Sequence, residues 1–280
     1  MGTMPGYSSS MKRLYSLYFL AFLFLFIAGC TQKSEILIIN DAESNPLVQK
    51  TPVAININSQ PSISPTPDTT PAAAITPTPT PKPKVVLYNV PFAPQAPYAV
   101  WDDLHNEACE EASMIMADSF FHKKLLDKDI MENKIQDLVK WEEKNGYTVD
   151  VTSDEVVKIL MNRFSLNAEV KTVSRADDII SELNRGNLVI IPAAGRLLKN
   201  PNYKTPGPLY HMLLVRGYDL NSREIITNDP GTRKGEGYRY PYDVLFNAIH
   251  DWPKQGRGKD DVSEEEMNSG QKVMIVVSGI

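Results

Sequence analysis

The tract SPTPDTTPAAAITPTPTPKPK, residues 64–84, sets the first limit on what this chain can fold into. Proline removes backbone donors, and threonine, serine and alanine bury too little apolar surface to offset the entropy of ordering. Such a composition favours extended polyproline geometry. Apart from a short apolar piece, EILIIN at 35–40, the whole of residues 31–84 reads as a disordered Pro/Thr-rich linker. Residues 41–83 would reach about 130 Å fully extended, or about 40 Å as a flexible coil. Composition leaves glycosylation of its threonines open. Core-building material is thereby confined to residues 85–280, one domain of ordinary size.

The chain has 280 residues, 42% of them hydrophobic, and a formal charge of −5. Its lysines and arginines are scattered among acids, so no basic stripe exists to neutralise phosphates, which argues against nucleic-acid binding. Two cysteines and four widely separated histidines (His105, His122, His211, His250) give no metal-ligand spacing. Neither a metal nor a cofactor is expected, and the chain is expected to be a monomer.

From Met11 the chain reads MKRLYSLYFLAFLFLFIAGC. Lys12 and Arg13 precede an apolar run, and Ala28 and Gly29 lead into Cys30. Fifteen apolar residues of helix span only about 22 Å, short of the roughly 30 Å hydrocarbon core of a membrane. A charged start, a short apolar run and small residues at its end make a signal peptide, residues 1–30. Met11 is then the expected start, with residues 1–10 an upstream extension. The ending IAGC resembles the lipobox of bacterial lipoproteins, which implies a lipidated Cys30 as the mature N-terminus. The domain would then face the extracytoplasmic side of the bacterial cell membrane, held by a lipid anchor.

Within residues 85–280 the periodicity changes partway. VVLYNVPF at 85–92 reads as an entering strand closed by Pro91. ACEEASMIMADSFF at 108–121 is helical, with Ala108, Ala112, Ile115, Met116 and Ser119 on one face. A second helix, MENKIQDLVKWEEKNG, stops at Gly146, and a third, TSDEVVKILMNRF, places Thr152 and Glu155 in capping-box spacing. A fourth, SRADDIISELNRG, takes Ser174 as N-cap and ends before Gly186. Short β-branched runs follow: NLVIIPAA, HMLLVRGYD, EIITND and KVMIVVSG. Helices first and strands afterwards predict an α+β fold, a helical half packed on an antiparallel sheet.

Cys109 has no disulfide partner in the chain once Cys30 is lipidated, so it is a buried small hydrophobe, an intermolecular link or a reactive thiol. It stands in the first turn of a helix, where unpaired N–H groups and the helix dipole favour a thiolate. Glu110 and Glu111 oppose this. Successive helix residues point about 100° apart, so Glu110 need not face the sulfur. A histidine is required in addition, and His211, opening a rigid apolar strand, is the candidate. Asp229, in TNDPG at the next strand's exit, lies where an adjacent antiparallel strand would bring it beside His211 to orient the imidazole. A plain turn is the competing reading of its last four residues, Asn228 to Gly231. Gln95 supplies an amide that can donate to a developing oxyanion together with the Cys109 backbone N–H.

Gln, Cys at a helix start, His opening a strand and Asp at the next strand's exit occur here in the order seen in the papain-like cysteine peptidases. More closely, the chain resembles the bacterial C39-like peptidase family. VPFAPQAPYAVW, EACEEASMIMA, ELNRGNLVIIPA, HMLLVRGYD, IITNDPG and YRYPYDVLFNAI carry the resemblance from about residue 88 to 250. ACEEAS departs from the Cys-Gly-Pro form common in relatives. The resemblance implies a papain-like fold, Cys109 as nucleophile, His211 as general base and acid, Asp229 as orienter, Gln95 in the oxyanion hole, and a peptide or protein substrate. Trp101 and Tyr210 are expected in the core, with lining a substrate groove as the second possibility for each. A cell-wall peptide hydrolase or amidase, or an inactive peptide- or wall-binding domain on a stalk, are the competing functions. Asp-Cys-Ser-Gly, the usual cell-wall hydrolase signature, does not occur.

The lipid anchor generates the first prediction. Cys30→Ala should move the protein from the membrane to the soluble fraction, because an h-region this short does not hold a protein stably once cleaved. Fractionation after confirmed signal cleavage measures this, and unchanged membrane retention would rule the anchor out.

Overall fold

Ten residues, Tyr210–Asp219, make β4, the strand on which the sheet is assembled. Its run of apolar residues suits burial on both faces: Tyr210, Met212 and Leu214 point into one core cluster, Leu213 and Val215 into the other. The computed structural model describes residues 83–253, 258 and 261–280. The expected signal peptide, Cys30 and nearly all of the expected linker lie outside these residues.

Seven strands form one antiparallel sheet. They are β1 (Val85–Leu87), β2 (Asn167–Thr172), β3 (Leu188–Ala194), β4, β5 (Glu224–Asn228), β6 (Tyr238–Pro241) and β7 (Val273–Ser278). The order is β2-β7-β3-β4-β5-β6. One edge of β4 is shared: β3 pairs with Tyr210–Val215 and β1 with Gly217–Asp219. β5 lies along the opposite edge, with Leu214 across from Asn228.

The helices are α1 (Asp103–Glu107), α2 (Cys109–Phe121), α3 (Lys128–Lys144), α4 (Ser153–Phe164), α5 (Ala176–Leu183), α6 (Tyr242–Ala248) and α7 (Glu264–Met267). Residues of α2, α3 and α4 fill the cluster on one face of the sheet, while α5 and α6 contribute to the cluster on the other. The α+β architecture is therefore as expected, but helices cover both faces rather than one. Among the described residues no helix is long and apolar enough to cross a membrane.

Local chemistry explains most boundaries. Thr152 and Glu155 form the reciprocal capping box at the start of α4. α5 departs from expectation by one residue: its N-cap is Arg175, not Ser174. The Asp178 carboxylate takes both backbone N–H groups, at 2.8 and 2.9 Å, so the acid three residues in decides where the helix begins. α2 differs more. Every residue from Cys109 to Ser119 is buried, so the helix has no exposed face to contrast with the expected apolar one. It lies between β4 on one side and α1, α3 and α4 on the others.

Gly217 marks the closest approach of two strands. A Cβ there would lie 2.3 Å from the Val86 carbonyl oxygen and 3.0 Å from the Leu87 Cα, both backbone atoms of β1. Since β1 leads directly into the loop carrying Gln95, this approach helps place one wall of the site. Gly217→Ala should push β1 off β4 and cost about 1–3 kcal/mol. Thermal denaturation would register this as a lower midpoint, by about 2–4 °C for each kcal/mol in a domain of this size. An unchanged midpoint would mean that β1 adds nothing to stability.

Candidate active site

The start of β4 lies beside the end of β5, and this juxtaposition builds the first part of the site. Asp229 follows β5, and its Oδ1 lies 2.9 Å from His211 Nε2. The carboxylate has no exposure to water and His211 only 1%. A buried charge needs compensation, and Asp229 finds it in neutral donors from several segments. Oδ1 also accepts from the Gly231 backbone N–H at 3.0 Å. Oδ2 accepts from Tyr203 (2.5 Å), Tyr240 (2.6 Å) and Asn200 Nδ2 (3.0 Å). Burial pushes the carboxyl's pKa up, but the His211 charge and these hydrogen bonds outweigh it and hold Asp229 below the usual carboxylate range. The same arrangement raises the Tyr203 hydroxyl well above its ordinary value, through burial first and the Asp229 charge second.

The imidazole is fixed on its faces as well. Tyr203 meets it edge-on, ring centroids 5.4 Å apart. A Cβ at Gly231 would come 2.9 Å from His211 Cε1, so only glycine lets the turn after Asp229 pass this close to the ring. With Nε2 committed to Asp229, Nδ1 is the nitrogen left for chemistry.

Gln95 stands in the loop after β1, buried, and its backbone N–H donates to the Pro230 carbonyl at 3.0 Å. That bond ties the loop to the Asp229 turn. Its side-chain amide donates to the carbonyls of His105 (2.9 Å) and Asn106 (3.3 Å), at the end of α1.

Cys109 opens α2 beneath β4. The Ser113 hydroxyl, one turn on, donates to the Met212 carbonyl at 3.2 Å, and the Met212 backbone N–H is directed at the Cys109 sulfur. The sulfur thus lies against the residue that follows His211. Alternation along β4 puts the two side chains on different layers: Cys109 packs with Tyr210, Met212 and Leu214, and His211 shares the face of Leu213 and Val215. Among the described residues Cys109 and His211 share no hydrogen bond. The thiol donates instead to Glu110 Oε2 at 2.9 Å.

The helix offset left open whether Glu110 faces the sulfur, and it does. Because α2 is buried on all sides, a 100° offset does not carry a side chain to water, and Glu110 folds back to the nearest donor. Burial, then the Glu110 charge and its hydrogen bond, then Glu111, push the thiol well above its ordinary value. The Met212 N–H opposes them. In this conformation the helix start therefore does not yield a thiolate.

Behind Glu110 sits a pair of hydrogen-bonded carboxyls, Glu111 and Glu142, both buried. Two carboxyls bond to each other only by sharing a proton. Burial raises both, Glu142 to about 11 and Glu111 to about 7, so Glu142 keeps the proton at neutral pH.

Of the aromatic residues, Tyr210 packs against Trp252 and donates to the Val151 carbonyl, as a core residue should. Trp101 does not: it is 44% exposed, beside exposed Tyr98 and Val100. Asn200, Tyr203, Tyr240 and Glu142 were not recognised as site residues from the sequence, whereas Glu110 and Glu111 were read there as opposing a thiolate. Only Tyr240 left a usable trace, since in YRYP the period of two puts it on the same face as Tyr238. Among the described residues no cluster of His, Cys, Asp and Glu is arranged to hold a metal ion.

Residues 87–259 match the model of the Peptidase_C39-like family. A search of the curated proteins found no match. Among solved structures, the chain is similar to a candidate C39-like peptidase from Bacillus anthracis, at 14% identity and a TM-score of 0.45, over 71% of this chain and 99% of that one. It is also similar to xylellain, a cysteine protease from Xylella fastidiosa, at 12% identity and a TM-score of 0.36, over 71% of this chain and 87% of that one.

The Glu111–Glu142 pair makes stability depend on pH in an unusual sense. A carboxyl with a raised folded pKa keeps its proton where the unfolded chain has lost it, so the native state is penalised progressively above the unfolded value. For Glu111 the window runs from about 4.5 to about 7, and for Glu142 from about 4.5 to about 11. Glu142→Gln keeps a donor for Glu111 without the titrating proton. It should raise the unfolding free energy at about pH 9 by about 1 kcal/mol or more, with little gain at about pH 5. Melts of both proteins across that range test this; parallel curves would mean the pair does not share a proton.

Proposed function

Because the chain belongs to the Peptidase_C39-like family, we propose that it is a cysteine peptidase anchored by a lipid on Cys30 to the outer side of a bacterial cell membrane. Its substrate is a peptide or protein. The observation that carries the reading is the His211–Asp229 pair, bonded at 2.9 Å, with the Met212 N–H beside the Cys109 sulfur. An ionised, fully buried carboxylate fixing one imidazole nitrogen leaves the other free to exchange protons with a thiol.

For turnover, Cys109 must leave Glu110 and swing past the start of β4 to the layer of His211, where it gives its proton to Nδ1. The thiolate attacks the substrate carbonyl carbon, and the Cys109 backbone N–H and the Gln95 amide donate to the oxygen as it becomes negative. Gln95 must release an α1 carbonyl to do so. Collapse breaks the C–N bond, with His211 protonating the departing amine and a thioester left on Cys109. Water, deprotonated by His211, then forms the new C–O bond, and the C–S bond breaks to return the thiol. Asp229 and its tyrosine and asparagine donors hold the ring throughout.

The thiol's bond to Glu110 favours a second reading, a domain that binds peptides without cutting them. Peptide-library digestion separates the two. The full chain should cleave, Cys109→Ala should not, and His211→Ala should lose about 10³-fold or more. Cleavage that survives Cys109→Ala would overturn the assignment. A chain that binds library peptides and leaves them intact at every pH would establish the second reading.

A further inference from the structure

Between Gln95 and Cys109 the chain makes a turn and then the five residues of α1, too few to hold a helix by propensity alone. Side chains set its place instead. Asp102 caps it, accepting from the His105 backbone N–H at 2.9 Å. The buried His105 ring reaches acids on both sides: Nδ1 lies 2.6 Å from Asp102 Oδ1, and Nε2 lies 3.0 Å from Glu132 Oε2 on α3. An ionised carboxylate only accepts, so both nitrogens donate, and only the imidazolium carries two N–H groups. The His105 backbone N–H, and after it the ring, hold Asp102 below the usual carboxylate range. Glu132 is set in turn by Gln136, whose amide donates to its Oε1 at 2.6 Å. The start of α3 makes a second tie: the Tyr98 hydroxyl donates to Asp129, and Lys128 Nζ lies 4.9 Å from the Tyr98 ring centroid. The opening turns of α3 thus hold the segment at both Tyr98 and His105.

Gln95 receives the effect of this clamp. A helix leaves its last carbonyls without internal partners, and the Gln95 amide takes two at the end of α1, His105 at 2.9 Å and Asn106 at 3.3 Å. Gln95 Oε1 is buried with no hydrogen-bond partner, so the bonds to α1 are what orient the amide. The residue that anchors α1 through its ring is therefore the one that holds Gln95 through its carbonyl. An amide nitrogen has two hydrogens, and the longer bond, to Asn106, is the one to give up when an oxyanion forms.

We propose that His105 is a positioning residue for Gln95: its ring, clamped between Asp102 and Glu132, fixes its own carbonyl, which keeps one Gln95 N–H while the other turns to the oxyanion. The inference rests on Gln95 serving in the oxyanion hole of a peptidase. In this role His105 touches neither substrate nor sulfur; it acts through Gln95 alone.

Two measurements on the full chain test it. The first is a double-mutant cycle on a library peptide that the parent cleaves. His105→Gln presents N–H groups at one end only and leaves one acid without its donor. It should lower kcat about tenfold with KM unchanged, less than the roughly 10²–10³-fold expected for Gln95→Ala, because the amide is misplaced rather than removed. In a Gln95→Ala background the same substitution should cost about twofold at most. Equal losses in both backgrounds overturn the proposal, since damage that bypasses Gln95 would add.

The second measurement needs no cleavage. Hydrogen exchange of the Gln95 side-chain N–H groups is followed by NMR on isotope-labelled protein, with their signals assigned by their absence in Gln95→Ala. His105→Gln should speed this exchange about tenfold while the backbone amides of β4 keep their parent rates. Exchange that is unmoved, or that rises equally along β4 as general loosening would make it, overturns the proposal. Should His105→Gln fail to fold, Glu132→Ala replaces it in both measurements and should change each in the same direction by less; unmoved values overturn the proposal there too. A chain that cleaves nothing yet shows the selective change in exchange refutes the peptidase reading and leaves the hold of His105 on Gln95 standing. A chain that cleaves peptides without that change does the reverse.

Discussion

A carboxylate with no contact with water, kept ionised at Asp229 by donors from β4, β6, the following turn and the loop after β3, is the constraint on which the rest of the site depends. Desolvation works against such a charge, and each donor offsets part of it only in its own place. Removing one leaves the others around an undercompensated anion. The seven-stranded sheet therefore fixes the imidazole through its electrostatics as much as through its packing. The loop bearing Gln95 is tied into the same turn through Pro230, so Gln95 and Asp229 share one anchor.

The opposite layer obeys a different logic. α2 is enclosed by β4 and three helices, and it carries glutamates where an enclosed helix ordinarily has apolar residues. Glu111 and Glu142 tolerate this by sharing a proton, and Glu110 by accepting from a thiol. Acids that burial drives toward their protonated forms are thus concentrated behind the sulfur, while the His211–Asp229 pair stands on the other layer of β4. The energetic balance between the two layers decides whether Cys109 is a thiol or a nucleophile.

Much of this was legible in the residues themselves. Runs such as MLLV and LVII are short and apolar, and they became central strands; the capping box at Thr152 formed as its spacing required. The pairing of His211 with Asp229 followed from two consecutive antiparallel strands. What escaped was written in contacts rather than in patterns. β2, NAEVKT, is a half-exposed edge strand whose polar residues hide its period of two. Asn200 and Tyr203 reach Asp229 from a loop that carries no periodicity at all. Trp101 shows the converse: a large aromatic residue invites a core assignment, yet it lies on the surface. The direction of Glu110 depended on whether α2 was buried on one side or all round, and the five residues read as its apolar face gave no sign of the second case.

The alternation along β4 has a consequence for how this fold can vary. Successive residues of that strand serve opposite layers, His211 one and Met212 the other. Substitution alters one layer at a time. Loss or gain of a single residue between 211 and 215 would instead exchange the two, sending the imidazole toward α2 and a hydrophobe into the tyrosine cage. Through this stretch the chain is closed to change in length, so insertions accumulated over a lineage belong in the connections around β4 and never within it.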